Sequence, residues 1–309
     1  MDSWMWFVLA ALLVGGLVWA LRPVRTAGPT TPSQAWLAAE RHARRVTAAA
    51  WTALVPLPVL LAAAVGSTLS GPSRGAVVAA LPAVAGIAYL AVHAGGELTW
   101  PRPAGAVRRA ALSRRRVRDL APRAVTWLTV TWFAALGVVL ALCALAAGTG
   151  GRSLSYAHPG QLVLTASPFP GPYYGRTIAP AMLLLGLGCI GVLLLVARRP
   201  AVSDTSPADD VTLRRTSAGR VLAGVQLAAA WTLAGCLYLA GNAVAGVQPV
   251  WADAFGRGSS EAVGRVAQVT SLVLVLASIV IALRSSRAGR ATPVSQGAEP
   301  SVQPARAAA

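Results

Sequence analysis

Charged positions in this chain fall into a few short intervals, and the intervals are separated by uncharged apolar runs of 18 to 25 residues. A hydrocarbon core about 30 Å thick needs roughly 20 mostly apolar residues to be crossed by a helix. Seven runs meet that length: residues 4–21, 47–67, 76–95, 125–147, 179–197, 221–245 and 266–283. In lipid every backbone N–H and C=O must be satisfied within the segment, so each run reads as a helix. The pattern predicts an all-α, polytopic transmembrane helix bundle over residues 1–290. The tail at 291–309, rich in Ala, Pro, Ser and Gln, is expected to be a disordered cytoplasmic extension.

Two of the runs carry punctuation. Pro56 and Pro58 in "ALVPLPVLL" each remove a backbone donor in mid-helix, which predicts a kink or a local unwinding of the second span. Pro82 acts more mildly in the third. Between the fourth and fifth runs, the alternating stretch Gln161 to Ser167 lies among turn residues and predicts a small hairpin or cap resting on the helices.

Arginine fixes the direction across the bilayer. If the runs alternate, residues 22–46, 96–124, 198–220 and those from 284 share one face and hold 22 of the 27 arginines, leaving five for the other face. Positively charged short loops stay inside, so the N-terminus is expected outside and the C-terminus in the cytoplasm. The densest interval, "RRAALSRRRVRDLAPR" at 108–123, holds seven arginines in sixteen positions. The run at 4–21 follows Asp2 without a basic segment and precedes Arg22 and Arg25, which favours a retained helix over a cleaved signal peptide. Trp51, Trp100 and Trp127 fall near helix ends, where amphipathic rings prefer the headgroup layer.

Composition agrees, with 55% hydrophobic residues, a mean hydropathy of +0.60 and a formal net charge of +17. No lysine occurs, which excludes a Schiff base, a pyridoxal phosphate linkage and a Walker A lysine. Cys143, Cys189 and Cys236 lie inside apolar runs without CxxC spacing and read as small buried hydrophobes.

Candidate chemistry is sparse. No run carries a carboxylate at its centre, which weighs against a proton relay. His93 and Glu97 are spaced i, i+4 and would share a face of a continuous helix, although Gly95 and Gly96 intervene; they read as an interfacial pair, short of a metal ligand set. His42 and His158 are expected on opposite sides, so no histidine cluster is expected. Gln226, Asn242, Thr270, Ser271 and Ser278 are candidates for bonds between helices, and Gly15, Gly16, Gly186, Gly188, Gly191, Gly224 and Ala228 for close packing. No catalytic residue, cofactor or metal is expected.

Over "HAGGELTWPRPAGAVRRAALSRRRVRDLAPR", residues 93–123, the chain resembles uncharacterised multi-pass integral membrane proteins of high-GC actinobacteria. That family has no assigned activity; the resemblance implies a bacterial plasma membrane. The expected role is a non-catalytic cell-membrane component whose Arg108, Arg109, Arg114, Arg115, Arg116 and Arg118 dock anionic inner-leaflet lipids. A membrane or cytoplasmic protein partner and the long external loop are further docking possibilities. Nucleic acid is not expected, because no aromatic stacking platform accompanies the charge. The alternative is a permease for a small solute, using the break at Pro56 and Pro58. A membrane enzyme built on the external loop would lack a paired acid and base.

Overall fold

The computed structural model describes residues 26–27, 33–101, 117–156, 163–203, 205–247, 259–287 and 291–292. Its helices are α1 (Gln34–Leu54), α2 (Pro56–Thr68), α3 (Gly71–Leu98), α4 (Val117–Leu120), α5 (Arg123–Ala146), α6 (Pro172–Arg198), α7 (Pro207–Gly246) and α8 (Ser259–Arg287). Four short strands accompany them: β1 (Thr26–Ala27), β2 (Leu154–Tyr156), β3 (Leu164–Ala166) and β4 (Ala291–Thr292).

Six stretches among the described residues are long and apolar enough to cross a membrane. They are α1 with α2, then α3, α5, α6, α7 and the 261–285 part of α8, matching the second to seventh expected runs. The run at 4–21 and the tail from 293 lie outside the described residues.

Two expected loops are corrected. Residues 34–46 and 207–220 are helical, extending the second and sixth spans well past their apolar runs. A search for uncharged runs stops at the first charge, whereas a helix continues wherever its charges are paired. Glu40 pairs with Arg44 and Asp210 with Arg214, each at i, i+4. Both extensions carry their own start signal: the Ser33 hydroxyl accepts from the Trp36 N–H at 3.1 Å, and Ser206 accepts from the Asp209 N–H at 3.1 Å with Pro207 next in sequence. At 40 residues, α7 is about 60 Å long, twice the thickness of the hydrocarbon core.

The proline pair does interrupt the second span. The Val55 N–H still reaches Trp51 O at 3.0 Å, but Pro56 and Pro58 offer no N–H to the carbonyls of Thr52 and Leu54, and the helix divides at Val55. Pro82 and Pro180, by contrast, sit inside unbroken helices.

α7 occupies the centre. Of its most apolar stretch, 78% is buried, the highest share among the six, although that stretch is the least hydrophobic of them. It packs most extensively on α8, where a Cβ on Gly241 would come 2.6 Å from Gly264 O and one on Gly264 2.5 Å from Gly241 O. Tyr89, Ile178, Leu185, Val221 and Val225 form the heart of the core, each nearly or fully buried. The outward surface is apolar as well: Leu60, Leu142, Leu183, Leu187 and Val266 are each more than half exposed. A greasy exterior around a packed interior is what a lipid solvent requires.

β2 and β3 pair antiparallel, with Leu154 opposite Ala166 and Tyr156 opposite Leu164. The hairpin expected near residues 161–167 is thus present, and Leu154 packs with Cys143, Phe169, Ala243 and Val247 as a cap over the ends of α5 and α7. β1 and β4 form a parallel pair of two residues each.

Candidate functional site at the charged end of the bundle

Glu40, His93, Arg199, Asp210, Arg214 and Arg220 are buried. All six lie at the end where α3 and α6 finish and α1 and α7 begin. The last carbonyls of a helix have no partner within it and carry its negative pole, so a cation there is favoured. Arg214 fills this role for α6: its Nη1 donates to Val196 O at 2.8 Å and Ala197 O at 3.1 Å, and its Nη2 to Arg199 O at 2.7 Å. Its Nε donates to Asp210 Oδ2 at 2.9 Å, one turn earlier on α7. Four bonds, one of them to a carboxylate, make a fully enclosed guanidinium tolerable.

Arg199 follows directly on α6 and gathers three helices. Its Nη1 donates to both Glu97 oxygens, at 3.3 and 3.2 Å, and to Ser217 Oγ at 3.1 Å. The guanidinium carbon lies 3.7 Å from the centroid of the Trp100 ring, a cation–π contact. Burial pulls the Arg199 pKa below its ordinary value, and the neighbouring Glu97 carboxylate opposes the shift. Trp100, just past the end of α3, is 5% exposed and roofs a buried charge. Trp127, at 71% exposed, does stand on the surface.

His42, on the charged extension of α1, donates Nε2–H to Gly96 O at 2.9 Å and meets the Trp100 ring edge-on at 5.6 Å. Gly96 permits that approach, since a Cβ there would strike the Val46 side chain. One turn back on α3, His93 packs against Tyr89 with ring centroids 4.6 Å apart. The Tyr89 hydroxyl donates to Arg220 O at 2.6 Å, and its ring fills the notch left by Gly224. A small cavity remains between α1, α3 and α7, bounded among others by His42, His93, Glu97, Trp100, Ser217 and Arg220.

The expected pair His93 and Glu97 does share one helix, which continues through Gly95 and Gly96 to Leu98. Each finds a different partner, Tyr89 for the histidine and Arg199 for the acid. His42 and His93 line the same cavity, and His158 lies outside the described residues. Arg118 is exposed in α4, 3.7 Å from Asp119, while Leu120 anchors that turn by burial. Arg108, Arg109, Arg114, Arg115 and Arg116 lie outside the described residues. Pro56 and Pro58 mark the break in the second span; the cleft beside it is walled by apolar groups such as Leu54, Pro58, Pro82, Leu227 and Trp231.

Of the groups expected to bond between helices, Gln226 does so, donating Nε2–H to Ser278 O at 2.8 Å. The Ser271 and Ser278 hydroxyls bond within their own helix, and Thr270 and Asn242 are exposed. Gly188, Gly224 and Ala228 are close-packing positions, Gly186 is a looser one against Phe133, and a Cβ on Gly191 would meet nothing within 4 Å. Gly15 and Gly16 lie outside the described residues. The three cysteines are free and buried.

Sequence reasoning missed Arg199, Asp210, Arg214, Ser217 and Arg220 as a cluster. Their signal was present in "SPADD" at 206–210, a helix start followed four residues after Asp210 by Arg214. Among the described residues, no group of three or more His, Cys, Asp or Glu comes together to hold a metal. Compared with known proteins, the chain matches no family model, no curated protein and no solved structure.

Proposed function

We propose that this chain is a non-catalytic integral membrane protein of a bacterial plasma membrane, whose arginine-rich cytoplasmic side holds anionic lipid headgroups of the inner leaflet. In this reading it has seven spans, with the N-terminus outside and the C-terminus inside. The observation that carries it is the gathering of charge at one end of an otherwise apolar bundle. Arg41, Arg44, Arg45, Arg118, Arg123, Arg198 and Arg215 surround the buried ion pairs there, and among the described residues the opposite end has Arg74, Arg152, Arg176 and Arg265. Each basic residue near an anionic surface adds about 1 kcal/mol of attraction. In this reading the five arginines at 108–116 belong to the same side, since the sequence there joins α3 to α4.

The permease reading draws on the break at Pro56 and Pro58, but the cleft there is apolar and Asn242 faces outward, so neither supplies a polar lining. The test uses the full chain in nanodiscs, with a lipid mixture containing a fluorescent anionic lipid. Enrichment of that lipid around the protein is expected, falling with added salt and falling further when Arg114, Arg115 and Arg116 are replaced by Gln. Equal enrichment of neutral and anionic lipid, or no change in the triple variant, sinks the proposal.

A further inference from the structure

We propose that the uncharged run at 4–21 packs along α8, on the face that α8 turns away from α7, with the strand pair β1–β4 fastening the two together. The inference rests on the seven-span reading above, in which that run crosses the bilayer. β1 pairs with β4 in parallel, Thr26 opposite Ala291 and Ala27 opposite Thr292. Thr26 comes five positions after Leu21, where the run ends, and Ala291 comes four after Arg287, where α8 ends. At about 3.5 Å per residue these links reach at most about 18 Å and about 14 Å, against about 5 Å between paired strands and about 8–10 Å between packed helices. The parallel sense adds direction, because both chains enter the pair on the same heading, as they must if the run and α8 both end at the cytoplasmic face. Depth agrees too: counting back in step from Thr26 and Ala291 sets the run against 269–286, within one helical turn of the apolar run at 266–283.

The receiving face is open. Gly264, Ser271, Ser278 and Ala282 are buried along one stripe of α8, which Gly264 and Ser278 bring against Gly241 and Gln226 of α7. On the opposite side Val266 and Val273 are 65% and 43% exposed, and Thr270 between them in sequence is exposed as well. Among the described residues, no helix besides α7 packs on α8 to a comparable extent. The run carries what such a face accepts: Ala11 and Gly15, and again Gly16 and Ala20, are small residues four apart that let two helix backbones approach and leave room for β-branched side chains. Held by so short a link, the run meets this face at a far higher local concentration than a second copy of the chain does.

Disulfide trapping in native membranes tests the contact, using the full chain with a protease site inserted after residue 160. Cysteine is placed singly at Ala10, Ala11, Leu12 or Leu13, one full turn of the run, and combined in turn with Val273→Cys on α8, Leu187→Cys on α6 or Leu60→Cys on α2, all three exposed. The native cysteines are buried, and chains with one added cysteine serve as blanks. Oxidation is expected to keep the two protease fragments joined within one chain for Val273→Cys, most of all from Ala11→Cys, and not for Leu187→Cys or Leu60→Cys. On intact cells, Ser3→Cys should react with a membrane-impermeant thiol reagent. A Ser3→Cys that stays unlabelled overturns the seven-span reading and this docking with it. Labelling at Ser3→Cys with no joined fragments for Val273→Cys, with better joining to Leu187→Cys or Leu60→Cys, or with a product of dimer mass overturns the docking alone.

Discussion

Arg214 heads the fully buried side chains by volume, and it persists there because its nitrogens meet three carbonyls at the end of α6 and the carboxylate of Asp210. Arg199 is less completely served, with Glu97, Ser217 and the face of Trp100 as its neighbours. Removing one member of a buried ion pair strands the other, at a cost of about 3–5 kcal/mol, whereas replacing both with apolar groups of similar size is often neutral. With side chains 1% and 7% exposed, Arg199 and Glu97 fall under that rule. Arg199→Ala is therefore expected to lower the denaturation midpoint in detergent far more than Arg199→Met combined with Glu97→Leu. Equal losses would mean that the pair contributes by its volume and not by its charge. These residues were hard to see from sequence for a physical reason: charges near a membrane usually signal solvated loops, and nothing local in "VARRP" distinguishes exposed Arg198 from buried Arg199. The difference is set by Glu97 on α3, 102 positions upstream, and Ser217 on α7, 18 positions downstream.

At the scale of elements, the apolar runs located all six described spans, because lipid demands length and hydrophobicity from each helix separately. They located helix ends poorly, because α1 and α7 continue into a layer where paired charge replaces apolar surface. The hairpin was legible from its turn residues and alternation; the glycine contacts were legible only in part, since a glycine in an Ala-rich helix says nothing about what it faces. Gly224 and Gly191 make the contrast measurable. A methyl group at Gly224 falls on the Tyr89 ring and disturbs the bond from Tyr89 to Arg220 O, whereas one at Gly191 meets nothing within 4 Å. Gly224→Ala is expected to cost about 1–3 kcal/mol by overpacking. Gly191→Ala should leave the midpoint unchanged or slightly raised, since alanine is the better helix former. Equal effects at the two positions would show that α3 and α7 do not meet as described.

Across the whole molecule, charge sorts the two ends: among the described residues the hairpin end is sparse in arginine, and the opposite end holds the buried ion pairs and the cavity. Reporter domains fused after residues 110 and 204 should be confined to the cytoplasm, and one fused after residue 160 should reach the medium. A fusion at 110 that is accessible from outside would reverse the proposed orientation and remove the inner leaflet as the partner of residues 108–118.

The central place of α7 also bears on how the protein is made. A segment leaves the translocation channel sideways when it prefers lipid to the channel interior, and α7 is the weakest of the six in that preference. Its Ala- and Gly-rich surface suits helical neighbours better than acyl chains, so its stable insertion is expected to depend on the helices that cover it, α8 above all. A chain truncated before residue 259 is therefore expected to be cleared faster than the full chain in a pulse-chase, and equal half-lives would show that α7 holds its place without that neighbour.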